Sequence, residues 1–194
     1  MWDKLIAVTD SATCPRSLEE QLERICTCEY KPQAIILRAK ELSPAEYEAL
    51  AIAALKICHS HGVQLILHTH WKLALKLGVS ALHLPLAILR QSDFQKNKTG
   101  FTHISTSIHQ QTEIMEAAVL GATNLVAGHI YSTQCKEGLA PRGLTFLSEV
   151  CQKAEGFGLP VYAIGGIKFN PVQLEEIKKA GAKGACIMSG YMRI

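Results

Sequence analysis

Eight short apolar runs recur along the chain, at residues 5–10, 34–39, 64–69, 81–86, 103–108, 124–130, 161–167 and 185–189. Between them lie seven segments with helical patterning, at residues 17–28, 44–61, 71–77, 87–94, 110–120, 144–157 and 171–180. The runs are apolar at nearly every position rather than at every second one. That is the signature of a parallel strand buried on both faces. The punctuation agrees: Ser43-Pro44 opens the second helix and Gly62 closes it, while Asn170-Pro171 and Gly181 bracket the last. The predicted architecture is one α/β domain over residues 1–194, a (β/α)8 TIM barrel. Because Ile194 follows directly behind the eighth run, the barrel is read as lacking its last helix, with a second copy as cover in a homodimer. An open doubly wound sheet is the alternative, but no Gly-x-Gly-x-x-Gly follows the first strand.

Composition narrows the class of function. A 48% hydrophobic, 19% charged chain of 194 residues fills one core and is not a disordered segment. The net charge of +3 is spread over scattered residues. It suits a small anion and offers no basic arm for nucleic acid. No apolar stretch has membrane-spanning length, and Met1-Trp2-Asp3-Lys4 leads straight into a strand, so no signal peptide is read. The seven cysteines are odd in number and lack metal-like spacing, which fits a reduced, cytoplasmic protein.

A barrel of this kind carries its chemistry at the C-terminal strand ends. His129 stands where the sixth run gives way to a polar loop containing Lys136, and an imidazole moves protons in both directions near neutrality. Gly165-Gly166 and Ser189-Gly190 end the last two strands. Turns there present N–H groups to an anion, and glycine lets the backbone come close. Arg38 and Lys40 alternate at the end of the second strand, two cations on one face for a carboxylate or phosphate. Ser107 and His109 share a face at the end of the fifth. His68-x-His70 resembles the start of a metal site, but Asp10 is the one carboxylate at a strand end to complete it, so no metal is expected.

In this order, Ala7-Val8-Thr9-Asp10, Leu37-Arg38-Ala39-Lys40, residues 72–78 before Leu82-His83-Leu84, Ser107-Ile108-His109 and Ala163-Ile164-Gly165-Gly166-Ile167 resemble the thiamine phosphate synthase/TenI superfamily over nearly the whole length. For the synthase branch, the resemblance implies an Asn-Asp pair for magnesium and diphosphate at the end of strand three, where this chain has His68-Thr69. It also implies an acidic residue soon after strand four, replaced by Leu86-Ala87-Ile88, and a Gln where Ile36 stands. The loop Gly128-His129 through Cys135-Lys136-Glu137-Gly138, Arg142-Gly143 and the ending Met188-Ser189-Gly190 are similar to the TenI branch.

That branch implies a thiazole tautomerase of thiamine biosynthesis, needing no cofactor. Its substrate is a small phosphorylated thiazole, the non-aromatic carboxythiazole phosphate tautomer. His129 would take the proton from the ring carbon bearing the carboxylate and return one to the exocyclic carbon. Gly165, Gly166, Ser189 and Gly190 would bind the phosphate, and Arg38, Lys40 or Lys136 would neutralise the carboxylate. The alternatives are a thiamine phosphate synthase-like enzyme, a non-catalytic binder or regulator of thiazole phosphate, and a metal-dependent hydrolase using His68 and His70.

Overall fold

The computed structural model describes residues 4–194, so the reading of Met1 to Asp3 lies outside the described residues. Eight parallel strands close in sequence order into a barrel. They are β1 (Leu5–Val8), β2 (Ala34–Leu37), β3 (Gln64–His68), β4 (Ala81–Leu84), β5 (His103–Ile108), β6 (Asn124–Gly128), β7 (Val161–Ile164) and β8 (Gly184–Ile187). Closure is made by β1 against β8, with Ile6 opposite Cys186 and Ala7 opposite Ile187. The helices are α1 (Leu18–Thr27), α2 (Pro44–Ser60), α3 (Trp71–Leu77), α4 (Leu86–Leu89), α5 (Ser92–Asn97), α6 (Glu113–Leu120), α7 (Gly143–Glu155), α8 (Pro171–Lys179) and α9 (Ser189–Met192).

Two buried layers explain why the strands read as apolar throughout. Ile6, Val8, Ala34, Ile36, Ile66, Ala81, Val126 and Cys186 fill the barrel interior. Leu5, Ala7, Ile35, Leu37, Leu65, Leu67 and the other outward strand residues pack beneath the helices. Local signals set the helix ends. Ser43 caps α2 by accepting from the Glu46 N–H, and the Glu46 carboxylate accepts from the Ser43 N–H at 2.8 Å. The expected helix at 87–94 is instead two short ones, because Gln91 is extended (φ −67°, ψ 127°) and interrupts the turn.

β8 is followed by the single turn α9. Tyr191 and Met192 are fully buried. The Tyr191 hydroxyl donates to the Tyr30 carbonyl at 2.6 Å, and the Asp10 N–H points at Met192 Sδ at 3.3 Å. Phe169, from the loop after β7, stacks on Tyr30 (4.5 Å, 11°) and meets Tyr191 edge-on (4.9 Å, 84°). Tyr30, Phe169 and Tyr191 thus form one aromatic cluster beside the β8 turn. Among the described residues no helix is long and apolar enough to cross a membrane.

Candidate active site at the barrel mouth

His129 follows the last residue of β6 through a cis Gly128–His129 peptide and is buried. Its Nε2 lies 3.3 Å from the Leu139 carbonyl. A carbonyl only accepts, so Nε2 carries the proton of the neutral ring and Nδ1 keeps the basic lone pair. The loop between β6 and α7 folds back so that the Arg142 N–H donates to the His129 carbonyl (2.9 Å). The same loop is pinned from outside by the Tyr131 hydroxyl, which donates to Glu176 at 2.9 Å. Lys136 stands exposed on a 3-10 turn of this loop.

Gly165 and Gly166 lie directly against that loop. A Cβ on Gly165 would sit 2.2 Å from the His129 Cβ, and one on Gly166 would sit 2.5 Å from the Ser132 carbonyl. Both have positive φ, 100° and 69°. Glycine is therefore required here by the approach of the β6 loop, a reason independent of any anion. Ser189 and Gly190 fall in α9 and not in β8. A Cβ on Gly190 would meet the Phe169 ring at 2.9 Å, so Phe169 joins the β7 turn to the β8 turn.

On the opposite wall Arg38 forms an ion pair with buried Asp10, which also accepts from the Thr13 hydroxyl at 2.8 Å. The Thr9 hydroxyl holds the Arg38 backbone N–H at 2.8 Å. Much of the Arg38 charge is thereby committed within the protein, whereas Lys40 is exposed. Burial, then the Arg38 and Lys40 charges, push the neighbouring His68 down to about 4. His68 stacks on His83 at 5.7 Å. Burial pushes His83 down to about 3. Its Nδ1 lies 2.8 Å from Ser105 Oγ and its Nε2 3.0 Å from Ser107 Oγ. His109 is exposed, with Nδ1 3.0 Å from the Gly128 carbonyl; it is thus tied to the strand end that carries His129.

His83 and Ser105 were not among the candidates read from sequence. The available signal was phase: His83 alternates with inward Ala81 on β4, and Ser105 with Ser107 on β5. His70, weighed as a metal ligand, instead stacks on Tyr47 at 4.0 Å.

The two depressed histidines set a pH dependence. Unfolded, each titrates near its ordinary value of about 6.5; folded, each resists protonation until about 3–4. Between these limits the unfolded chain binds protons that the barrel refuses, so stability falls as pH drops from about 6.5 towards 4. Urea denaturation at pH 4 should give an unfolding free energy lower than at pH 7 by on the order of 6 kcal/mol, about half from each ring. The slope should be shallower in His83→Gln, and an unchanged slope in that variant would remove His83 from the account.

The magnesium implied for the synthase branch finds a poor donor set. A hard cation takes carboxylate and carbonyl oxygens, yet the strand ends concerned carry His68-Thr69 and Leu86-Ala87-Ile88, and Asp10 is already paired with Arg38. Among the described residues no group of three or more His, Cys, Asp or Glu side chains is placed around a common point.

Comparison with known proteins bears on the whole chain. A family model described as thiamine monophosphate synthase (TMP-TENI) matches residues 5–191. A thiamine-phosphate synthase from Listeria welshimeri is 30% identical over 184 residues, 93% of this chain and 85% of its own. One from Proteus mirabilis is 29% identical over 160 residues, 82% of this chain and 73% of its own. In structure, a thiamine phosphate pyrophosphorylase from Pyrococcus furiosus shares the fold with a TM-score of 0.77 at 21% identity, covering 100% of this chain and 89% of that one. On the strength of a match that runs from β1 to α9, this chain belongs to the thiamine monophosphate synthase (TMP-TENI) family.

Proposed function

We propose that this protein is a cytoplasmic thiazole tautomerase of thiamine biosynthesis, an isomerase that aromatises the carboxythiazole phosphate tautomer without metal or organic cofactor. The observation that carries this reading is His129. It is a buried imidazole at a strand end, with Nε2–H committed to the Leu139 carbonyl and Nδ1 left as a base. Nδ1 takes the proton from the ring carbon bearing the carboxylate, and the resulting imidazolium returns it to the exocyclic carbon. The carboxylate is assigned to Lys40 and Lys136, with Arg38 as a partly neutralised third cation, since an unscreened carboxylate opposes carbanion character beside it. The phosphate is assigned to the turns at Gly165-Gly166 and Ser189-Gly190, with Ser107 and His109 as further contacts.

A second reading is a synthase forming thiamine phosphate, and it is favoured by the names of the relatives, which are thiamine-phosphate synthases. Against it stands the poor oxygen donor set at the ends of β3 and β4. One experiment separates the two. Freshly generated thiazole tautomer is followed by ultraviolet absorbance with chelator present, and thiamine phosphate formation is assayed separately with pyrimidine diphosphate and magnesium. Acceleration in the first assay and none in the second is expected. The converse result would make the protein a synthase.

A further inference from the structure

We propose that Gln21, on α1, is a positioning residue: by gripping the backbone of α9 it sets the turn at Ser189-Gly190 to receive the ligand's phosphate. The inference rests on the phosphate site assigned above and goes beyond it, because Gln21 is buried under α1 and acts only through α9. It begins with the buried stripe of α1, Leu18, Gln21, Leu22, Ile25 and Cys26, which repeats at helical spacing. Gln21 is the one residue in that stripe with a polar amide, and it is fully buried. An aliphatic side chain would fill the position without cost, whereas a buried amide is destabilising unless both its ends are paired. Both ends are paired here. Arg16 donates to Gln21 Oε1, and Gln21 Nε2 donates to the Tyr191 carbonyl. A guanidinium only donates and a carbonyl only accepts, so the amide is fixed in one orientation.

The turn α9 needs such a grip. A helix of four residues gains little from its own hydrogen bonds, and its direction is set by what holds it. Two holds run through rotatable side chains: the Tyr191 hydroxyl on the Tyr30 carbonyl, and Met192 Sδ beside the Asp10 N–H. Gln21 instead holds a main-chain carbonyl within α9 itself. Arg16 and Arg24 extend the same grip to the Ile194 carbonyl, at 2.9 and 3.0 Å. From the other side Phe169 presses on Gly190, where a Cβ would meet the ring at 2.9 Å. The turn is therefore clamped between α1 and Phe169. Loss of the Gln21 amide would let α9 tilt, moving Ser189 and Gly190 at the mouth while His129 stays in place behind β6.

Calorimetric titration with hydroxyethylthiazole phosphate and with its free alcohol reads the phosphate contribution as a ratio of two affinities. Gln21→Met keeps the length of the side chain and removes the amide. In it the phosphorylated probe should bind about tenfold more weakly, on the scale of one hydrogen bond, and the alcohol as before. A merely structural role would lower the melting temperature and leave the ratio where it was, so an unchanged ratio overturns the proposal. Equal weakening of both probes overturns it too. Arg16→Met releases Gln21 Oε1 and should lower the same ratio severalfold. Arg16 is only partly buried, so this variant decides the matter if Gln21→Met does not fold. A wild-type protein with no preference for the phosphorylated probe would overturn the phosphate assignment and this inference together. With that preference present, an unchanged ratio in the variants strikes Gln21 alone, and failure of the aromatisation assay strikes only the tautomerase reading.

Discussion

His129→Ala is expected to reduce catalysed aromatisation by roughly a hundredfold to ten-thousandfold, the usual contribution of a positioned acid–base group. The far-ultraviolet circular dichroism should not change. Alanine is the informative replacement because it keeps the Cβ that packs against Gly165, at 2.2 Å from where a Cβ of that glycine would lie. What it removes is the ring and its Nδ1 lone pair. The hydrogen bond from Nε2 to the Leu139 carbonyl is lost as well, but Leu139 is 63% exposed and water can satisfy that oxygen. The necessary comparison is His109→Ala. His109 also has one nitrogen held by a carbonyl, that of Gly128, and so also keeps a basic nitrogen. If His129→Ala retains full activity and His109→Ala loses it, the base belongs to β5. If both retain activity, neither imidazole carries the proton and the tautomerase mechanism fails.

How far this site was legible in the sequence follows from which forces placed each part. The barrel was legible because burial on both faces leaves a continuous apolar run, and the helix caps at Ser43 and Asn170 carry their own chemistry. The position of His129 at a strand end came through for the same reason. Its tautomer did not, because Leu139 is ten residues away and only the folded loop brings its carbonyl to the ring. The Arg38–Asp10 pair joins two strand ends twenty-eight residues apart. Each residue alone reads as an available charge, and their mutual neutralisation appears only when β1 and β2 are in register. Likewise His83 looks like one polar residue in an apolar strand until Ser105 and Ser107 are seen across the ladder. Side-chain pairing between neighbouring strands is non-local, and a single strand's pattern does not contain it.

The glycines show the same limit from the other side, and they give the second large effect. Gly165→Ala should lower stability by on the order of 3–5 kcal/mol, combining a left-handed backbone with overpacking. The backbone part arises because φ is 100° at this residue. The packing part arises because the new Cβ meets His129 Cβ at 2.2 Å and Cα at 2.6 Å, and a backbone atom cannot swing aside as a flexible side-chain end would. Gly138→Ala separates the two parts. Gly138 also has positive φ, 82°, but a Cβ there finds nothing within 4 Å, so it should cost only the backbone strain, about 1 kcal/mol. Since 1 kcal/mol shifts Tm by roughly 2–4 °C in a domain of this size, calorimetry should give Gly165→Ala a fall of about 10 °C and Gly138→Ala a few degrees. Equal shifts would mean that the loop carrying His129 yields freely to the intruding methyl. In that case the seat of the imidazole against β7 would be soft, and the placement of Nδ1, on which acid–base catalysis at this mouth depends, would have to come from the Leu139 contact alone.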